Sequence, residues 1–333
     1  MECGIIGLPN VGKSTFFNLL SNTNVLVKNY PFSTINPNKS IINVYDKRVI
    51  YLCKKFNFKN YKFNTIKLID IAGIIKNSYK GKGLGNIFLS YIYNTKVLIN
   101  ILRFFYSKKI ININKNIIDP IYERKIILNE LIMKDINLIK KNIKKKNKNF
   151  LNKILFFFKK KNIYDIKKIY NDNKLIIKKY KLNFLCIKPI IYICNTDNNV
   201  QKDELLFVKE YFYKKKEKLY FLNIKNIFFN KKKINKIINN IYLKLKLKTF
   251  FTIDKKNKKI SSWKIKKNTY AYKASKKIHS TFSKNLIKVE VINYNNIIKL
   301  NNIKNYKKYM LLKNKKYIVK DGDILFFKLN YKS

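Results

Sequence analysis

A stretch of nine residues near the start of the chain limits the folds that this sequence can adopt. Residues 7–15 read GLPNVGKST and match the pattern G-x-x-x-x-G-K-[ST]. The apolar run at residues 3–7 predicts a buried strand, and residues 16–20 predict a helix. In that context the loop N–H groups and the helix N-terminus face one point, where they bind phosphate. Because the chain has only 8 glycines in 333 residues, a chance match would be rare.

The motif assigns a role to each of its polar residues. Lys13 is expected to reach the β- and γ-phosphates, and the hydroxyl of Ser14 is expected to hold Mg²⁺. Catalysis should therefore depend on Lys13 as much as binding does. The residues expected to bind the nucleotide in this stretch are Asn10, Val11, Gly12, Lys13, Ser14 and Thr15.

A second phosphate-side signal lies at residues 70–73, which read DIAG. After a strand, D-x-x-G suits a site where Asp70 orients Mg²⁺ through water and assists catalysis, while the N–H of Gly73 senses the γ-phosphate. The alternative is a simple turn capped by an aspartate. Between the two motifs, residues 30–38 form a polar loop with two prolines. Thr34 in that loop is either a second Mg²⁺ ligand or an ordinary loop threonine.

The pattern of apolar runs predicts an α/β fold with a mainly parallel sheet, because helical segments separate most of the predicted strands. The predicted strands of this part of the chain are at residues 40–45, 65–70, 97–102, 188–194 and 219–222.

Two regions depart from this alternation. In residues 121–181, apolar residues such as Leu128, Ile132 and Ile136 recur at spacings of three and four, which predicts two antiparallel helices. From about residue 246 the chain becomes β-rich, with strand signals at 248–252, 287–292 and 323–329.

The net charge of +56 has two explanations that the sequence leaves open. An excess of lysine suits contact with nucleic acid. The abundant residue types Lys, Asn, Ile, Tyr and Phe also share AT-rich codons, so mutational drift alone would produce the same excess.

The four cysteines show no C-x-x-C spacing and predict buried free thiols in a reducing compartment. No apolar run approaches 18 residues, and no signal peptide precedes the first strand. We therefore expect a cytoplasmic protein that does not enter a membrane.

Three stretches resemble the YchF-type Obg-like ATPases, a translation-factor-related branch of the P-loop GTPases. They are residues 7–15, residues 29–38, and residues 70–89 with the run KGKGLGN. The resemblance continues through residues 103–105, 119–120 and 129–131 and covers nearly the whole chain. It implies an OBG-type nucleotide-binding domain at 1–120 and 182–245, a coiled-coil-like helical insert at 121–181, and a TGS domain of β-grasp fold at 246–333.

The resemblance also bears on the base that is bound. Residues 195–198 read NTDN where P-loop GTPases carry N-K-x-D, whose aspartate reads the guanine edge. The family tends to have N-x-x-E, which goes with adenine nucleotides. Asn195 would either bond the base or brace the P-loop, and Asn198 stands in place of the guanine-reading aspartate. We expect ATP to be favoured over GTP.

Three further positions bear on catalysis by way of the resemblance. Ile74 stands where many GTPases have the water-positioning glutamine, as in the family, and Asn112 is the nearest counterpart of the histidine thought to serve catalysis there. In related P-loop GTPases an asparagine at the position of Asn10 helps to hold a monovalent cation. K⁺ is therefore a candidate cofactor beside Mg²⁺; alternatively, Asn10 only braces the loop.

Taken together, these features predict a Mg²⁺-dependent P-loop nucleoside triphosphatase that binds and hydrolyses ATP, with GTP as a possible substrate. We expect it to act as a monomer and to associate with RNA and with the ribosome, at its large subunit. Two other functions stay open: a GTP-specific translation GTPase, and a non-hydrolysing RNA-binding module that kept its P-loop for stability.

Overall fold

A computed structural model of the chain describes residues 2–22, 38–71, 91–106, 118–143, 148–226 and 231–330. The chain divides into two compact units. The first comprises Met1–Ile42 and Lys67–Lys231, and the second comprises Asn43–Ile66 and Lys232–Ser333.

The strands and helices are numbered along the chain. The strands are β1 (Glu2–Ile6), β2 (Asn38–Val44), β3 (Asn60–Lys62), β4 (Asn64–Asp70), β5 (Val97–Phe104), β6 (Ile190–Thr196), β7 (Lys218–Leu222), β8 (Leu247–Asp254), β9 (Lys259–Lys266), β10 (Leu286–Asn293), β11 (Leu311–Asn314) and β12 (Asp323–Leu329). The helices are α1 (Lys13–Asn22), α2 (Lys47–Phe56), α3 (Pro120–Ile143), α4 (Lys148–Lys159), α5 (Ile163–Asp172), α6 (Lys174–Lys179), α7 (Lys202–Lys214), α8 (Lys231–Lys244), α9 (Ala271–Ser275), α10 (Phe282–Asn285) and α11 (Tyr294–Ile298), with a 3-10 helix at Ile303–Tyr309.

A six-stranded sheet forms the centre of the first unit, in the order β2-β4-β1-β5-β6-β7. β1 runs parallel to both β4 and β5, and the pairs β5–β6 and β6–β7 are parallel too. All eight residues of β5 are buried, as expected for a parallel strand that is covered on both faces. The predicted α/β fold with a mainly parallel sheet is confirmed.

The helical segment between β5 and β6 differs in part from the two antiparallel helices predicted for it. α3 forms as expected, with 24 residues, but the predicted second helix is divided into α4, α5 and α6. The division has a local cause. Lys161 adopts a left-handed φ of +54°, and the side chain of Asn162 then caps α5 by accepting the N–H of Tyr164. Asn173 is both the C-cap residue of α5 and the N-cap residue of α6.

The sheet of the second unit has the strand order β11-β10-β12-β8-β9-β3. β8 and β9 form an antiparallel hairpin, β10 pairs antiparallel with β11 and β12, and the last strand β12 lies parallel to β8. Two antiparallel pairs thus flank a parallel pair of the first and last strands, which is the β-grasp arrangement. β3 extends this sheet by pairing in parallel with β9.

Residues 43–66 and 232–245 belong with the second unit, whereas the sequence analysis assigned both to the nucleotide-binding domain. Apolar packing accounts for the first segment, because Val49 and Leu52 of α2 share one buried core with Phe251 and Ile324. Residues 232–245 are joined to the second unit by a hydrogen bond, because the hydroxyl of Tyr242 in α8 lies 2.9 Å from Thr249 Oγ1.

Two further expectations from the sequence concern the cysteines and membrane-spanning segments. All four cysteines are buried and free, as predicted. Within the described ranges, none of the helices is long and apolar enough to span a bilayer.

Candidate nucleotide-binding site

The loop between β1 and α1 has the backbone geometry that its motif requires. Gly7 and Gly12 have φ of +155° and +99°. A Cβ at Gly7 would lie 2.5 Å from the carbonyl oxygen of Ile101, and one at Gly12 would lie 2.8 Å from Asn195 Nδ2. Both positions therefore require glycine. Asn10 is exposed and takes a left-handed φ of +62°, which asparagine adopts more readily than most residues.

Lys13, the first residue of α1, lies under this loop with 8% of its surface exposed. Its Nζ donates a hydrogen bond to the carbonyl oxygen of Leu8, 2.7 Å away. Burial lowers the pKa of Lys13 to about 8, while the carboxylates of Asp70 and Glu123 act against that shift. The ammonium group is thus held beside the backbone that is expected to wrap a phosphate chain.

Ser14, in the first turn of α1, and Asp70, at the end of β4, lie in contact. The Ser14 hydroxyl donates to Asp70 Oδ2 over 2.9 Å. The other carboxylate oxygen, Oδ1, is buried without a hydrogen-bond partner among the described residues. Burial raises the pKa of Asp70, and the hydrogen bond from Ser14 and the charge of Lys13 oppose this.

These two residues fit a magnesium site completed by phosphate and water. A hydroxyl and a carboxylate suit Mg²⁺, which keeps several waters and binds through one or two carboxylates plus substrate phosphates. The unpartnered Asp70 Oδ1 can accept a hydrogen bond from such a water. In the part of the chain that the structure describes, no cluster of three or more His, Cys, Asp or Glu side chains could hold a metal ion by itself.

Asn195, near the end of β6, braces the P-loop. Its Nδ2 donates to the carbonyl oxygen of Val11 over 3.0 Å, and its Oδ1 accepts the N–H of Ile224 at 3.1 Å. Both ends of the amide therefore bind backbone. Of the two roles that the sequence left open for Asn195, this geometry matches the brace.

Known proteins match nearly the whole length of the chain. The family model YchF-GTPase_C, described as a protein of unknown function, matches residues 247–330, and the model MMR_HSR1, described as a 50S ribosome-binding GTPase, matches residues 2–141. The "Ribosome-binding ATPase YchF" of Mycoplasma genitalium is 35% identical, with 99% of each chain covered. The chain belongs to the YchF family. The resemblance drawn from its motifs is confirmed.

Other YchF-family proteins agree in length and in fold. "Obg-like ATPase 1" of Xenopus laevis is 31% identical over 99% of this chain and 92% of its own. The solved structure of the Schizosaccharomyces pombe YchF GTPase superposes with a TM-score of 0.75 at 28% identity, covering 98% of this chain and 97% of that one. The fold of the family therefore extends over both units.

Asp197 directly precedes Asn198, which occupies the position of the guanine-reading aspartate. The carboxylate of Asp197 already has hydrogen-bond partners. Asp197 accepts the N–H of Tyr106 on Oδ2 and the N–H of Asn199 on Oδ1, each at 3.0 Å. Asn198, the fourth residue of the motif, is exposed. A shift of Asp197 by one position to replace the lost aspartate would break both of its backbone hydrogen bonds.

Sequence reasoning missed one acidic residue of this site, Glu123. The sequence places it in the first turn of α3, where an acidic side chain is already explained by the helix dipole. Its Oε2 accepts the N–H of Arg103 at the end of β5, over 2.8 Å. Burial raises the pKa of Glu123 to about 7, against the opposing effects of Arg103 and Lys13. Its proximity to Lys13 arises only from the packing of α3 on the sheet.

Several predicted positions fall outside the described residues. They are Thr34, Gly73, Ile74 and Asn112. Thr15 is described and lies exposed in the first turn of α1. Its expected contact with phosphate, like the other residue roles, stays a prediction.

Proposed function

We propose that this member of the YchF family binds ATP, hydrolyses it with Mg²⁺ and associates with the ribosome. The observation that carries the proposal is the buried ammonium of Lys13, held 2.7 Å from the Leu8 carbonyl inside the P-loop. Phosphate oxygens can replace that carbonyl with little movement of the charge. Such preorganisation is what electrostatic catalysis of phosphoryl transfer needs. The printed names of the curated relatives, ribosome-binding ATPase among them, agree with this function.

Each residue of the site has a role in this proposal. Lys13 binds the β- and γ-phosphate oxygens, and the N–H groups of residues 10–15 surround the phosphate chain. Ser14 and Thr34 would hold Mg²⁺, and Asp70 would orient it through a water; the ion itself would neutralise charge on the phosphates. The N–H of Gly73 would respond to the γ-phosphate.

The adenine preference rests on the residues after β6. Asn198 cannot present one acceptor oxygen to each of the two guanine N–H groups as a carboxylate does, because the other arm of its amide is an NH₂ donor. Asp197 already binds two backbone N–H groups. No carboxylate of residues 195–198 is therefore free to read guanine.

K⁺ beside the phosphates is the second cofactor that we propose. Asn10 is exposed in the loop and three residues before Lys13, and a cation there would add positive charge between the β- and γ-phosphoryl groups. We expect faster ATP hydrolysis in K⁺ than in Na⁺ at equal ionic strength. Asn10→Ala should remove that difference and leave Mg²⁺-ATP binding largely intact. Equal rates in the two salts for the parent protein would mean that Asn10 only braces the loop.

The partner of the chain follows from its charge and its family. A net charge of +56 favours association with RNA. We propose that the chain works as a monomer in the cytoplasm, on RNA of the large ribosomal subunit, and that residues 246–333 of the second unit form the TGS domain of the family.

Nucleotide affinities measured with and without ribosomes test this function. We expect ATP to bind at least as tightly as GTP in competition titrations, and ribosomes to increase single-turnover hydrolysis. A clear GTP preference would favour a GTP-specific translation GTPase. Ribosome binding without any hydrolysis would favour an RNA-binding module that kept its P-loop for stability.

A further inference from the structure

A groove opens in the first unit between the N-terminal turns of α3 and α7. Its volume is about 630 Å³. Three of its lining residues, Phe104 at the end of β5, Ile121 in α3 and Val208 in α7, are buried and share one apolar core. The base of the groove is therefore apolar and continuous with the core of the unit.

The two helices that wall the groove are fixed to each other. Arg124 of α3 forms a bidentate ion pair with Glu217, which follows α7, and both of its hydrogen bonds measure 2.6 Å. The two side chains are only 5% and 12% exposed. Arg124 Nη1 also lies 3.5 Å from the hydroxyl of Tyr211, which lines the groove. Since a bidentate pair fixes the geometry of both groups, the groove is formed before any partner binds.

An aromatic side chain stands exposed in this groove. Phe207 of α7 lines it and has 69% of its surface exposed. It lies four residues from both Asp203 and Tyr211, so the three side chains share one face of the helix. A large exposed ring beside a concave apolar surface is typical of a site for a partner molecule.

Negative charge borders the groove, although the chain as a whole is strongly basic. Lysines and arginines number 74 in the sequence, against 18 aspartates and glutamates. The groove reverses this ratio, because its lining includes the three carboxylates Asp119, Asp203 and Glu204 and one lysine, Lys125. Within the described ranges, none of these carboxylates forms an ion pair.

Helix capping explains part of this acidic border. Asp119 Oδ1 accepts two N–H groups of the first turn of α3, at 2.7 and 3.1 Å. Glu204 Oε2 accepts the N–H of Gln201 at 3.1 Å. These bonds leave the negative charges in place. Capping also gives no reason for the exposed ring of Phe207, which an apolar partner would cover.

We infer that this groove binds a lysine- or arginine-rich segment of a ribosomal protein, with a bulky apolar side chain of that segment against Phe207. The inference rests on the proposed ribosome association and names the component that the first unit contacts. A ribosome offers RNA and protein, and the carboxylates of the groove repel the phosphates of RNA. They attract a cationic segment, and burial of an apolar side chain adds to its affinity.

The test titrates the full chain with two labelled lysine-rich peptides. One has a central phenylalanine, and the other has serine in its place. Because the net charge of +56 repels a cationic peptide over most of the surface, binding should be confined to acidic sites. We expect saturable binding of the phenylalanine peptide in fluorescence anisotropy, and binding of the serine peptide that is about tenfold weaker, from the loss of one buried aromatic side chain. Equal affinities overturn the inference.

Neighbouring residues of α7 locate the bound peptide. Phe207→Ser should weaken binding of the phenylalanine peptide by about tenfold. Leu206→Ser is the matched control, since Leu206 is 53% exposed beside it but does not line the groove, and it should leave the affinity unchanged. Thermal melts check that both variants are folded. Equal effects of the two substitutions overturn the inference.

A pair of charge variants tests the acidic border. Asp203→Asn with Glu204→Gln should weaken binding and reduce its dependence on salt, because two attractive charges are lost. The new glutamine keeps an acceptor for the N–H of Gln201. Asp172→Asn with Glu210→Gln removes the same charge at exposed positions outside the groove and should leave the salt dependence unchanged. Equal effects of the two pairs overturn the inference.

Other occupants give other results. Self-association of the parent protein that Phe207→Ser abolishes, measured by sedimentation, would assign the groove to a second copy of the chain. Binding of a single-stranded oligouridylate that Phe207→Ser weakens would assign it to RNA. Either result overturns the inference.

Ribosome co-sedimentation separates this inference from the proposed function. Phe207→Ser should sediment with ribosomes more weakly than Leu206→Ser. If the parent protein hydrolyses ATP and sediments with ribosomes but does not bind the phenylalanine peptide, the inference fails and the function stands. If the peptide binds in the groove while ribosomes neither bind nor stimulate hydrolysis, the function fails and the groove stands as a site for basic peptides.

Discussion

Lys13 shows how one residue combines burial with charge. Its pKa of about 8 means that burial disfavours the ammonium form that phosphate needs. We expect Lys13→Ala to weaken ATP binding by about 10- to 150-fold, which corresponds to 1.5–3 kcal/mol for a hydrogen bond to a charged group. The thermal midpoint should not fall, because the variant also removes the desolvation of a buried charge. Calorimetric titration and thermal melts measure the two effects.

The pH dependence of ATP binding supplies the control for this prediction. Above pH 8 the free protein loses the Lys13 proton, and ATP must bind together with proton uptake, so the affinity of the parent protein should fall as pH rises through 8. Lys13→Ala should lack this decrease. An unchanged affinity in a folded alanine variant would contradict the assigned site.

Glu123 makes a second residue-scale prediction, on stability. Burial raises its pKa from 4.5 to about 7, so between these values the folded state binds a proton that the unfolded state has released. The free energy of unfolding should therefore decrease as pH rises from 4.5 to 7, and the cost persists above pH 7. Glu123→Gln keeps an acceptor for the N–H of Arg103 but cannot ionise.

The glutamine variant should exceed the parent protein in stability at pH 8, by on the order of 1–3 kcal/mol. Near pH 4 the two proteins should unfold alike. Urea unfolding at both pH values measures the difference. Parallel curves across the whole range would show that Glu123 ionises freely in the folded protein.

At the scale of elements, sequence patterns predicted most of what places the phosphate site. β1, β4, β5 and β6 lie at predicted runs, because a buried parallel strand needs a continuous apolar stretch whatever its neighbours. The pairing of Ser14 with Asp70 followed from two local motifs. Local patterns did not show α2 and β3 packing on the C-terminal sheet, nor Glu123 reaching Arg103. These contacts depend on which elements meet in space.

The brace between β6 and the P-loop gives a prediction at this scale. Asn195→Ala leaves the carbonyl of Val11 and the N–H of Ile224 buried without their partner. Each such group costs about 1–3 kcal/mol, so we expect a lower free energy of unfolding and weaker ATP binding together. Asn198→Ala, exposed three residues later, is the matched control and should change neither. Loss of ATP binding without loss of stability would instead indicate direct contact between Asn195 and the base.

At the scale of the whole molecule, the second unit is built from two separate parts of the chain. Val49 and Leu52 of α2 are fully buried in a core that also contains Phe251, Ile260 and Ile324. Arg48 of the same helix bonds Asp321 Oδ2 over 2.7 Å. A truncation after residue 245 would remove most of this core and leave α2 behind. Exposure of such side chains costs about 1.5–3 kcal/mol each.

Two truncated chains therefore separate nucleotide binding from ribosome association. In the first, deletion of residues 246–333 alone should lower the thermal midpoint and cause aggregation, because it exposes the apolar side of α2. In the second, the chain ends at residue 231 and a Gly/Ser linker replaces residues 45–63, between β2 and β4. It retains all six strands of the first sheet together with Lys13, Ser14, Asp70 and Asn195.

We expect the second truncated chain to bind ATP within about threefold of the parent protein, since its nucleotide site is complete. It should associate with ribosomes more weakly and with a smaller salt slope, because the lysines of the second unit that contact phosphates are gone. Co-sedimentation at several salt concentrations measures this. An unchanged salt slope would assign the lysine excess of the second unit to mutational drift. Loss of ATP binding in a folded variant would place part of the nucleotide site in the second unit.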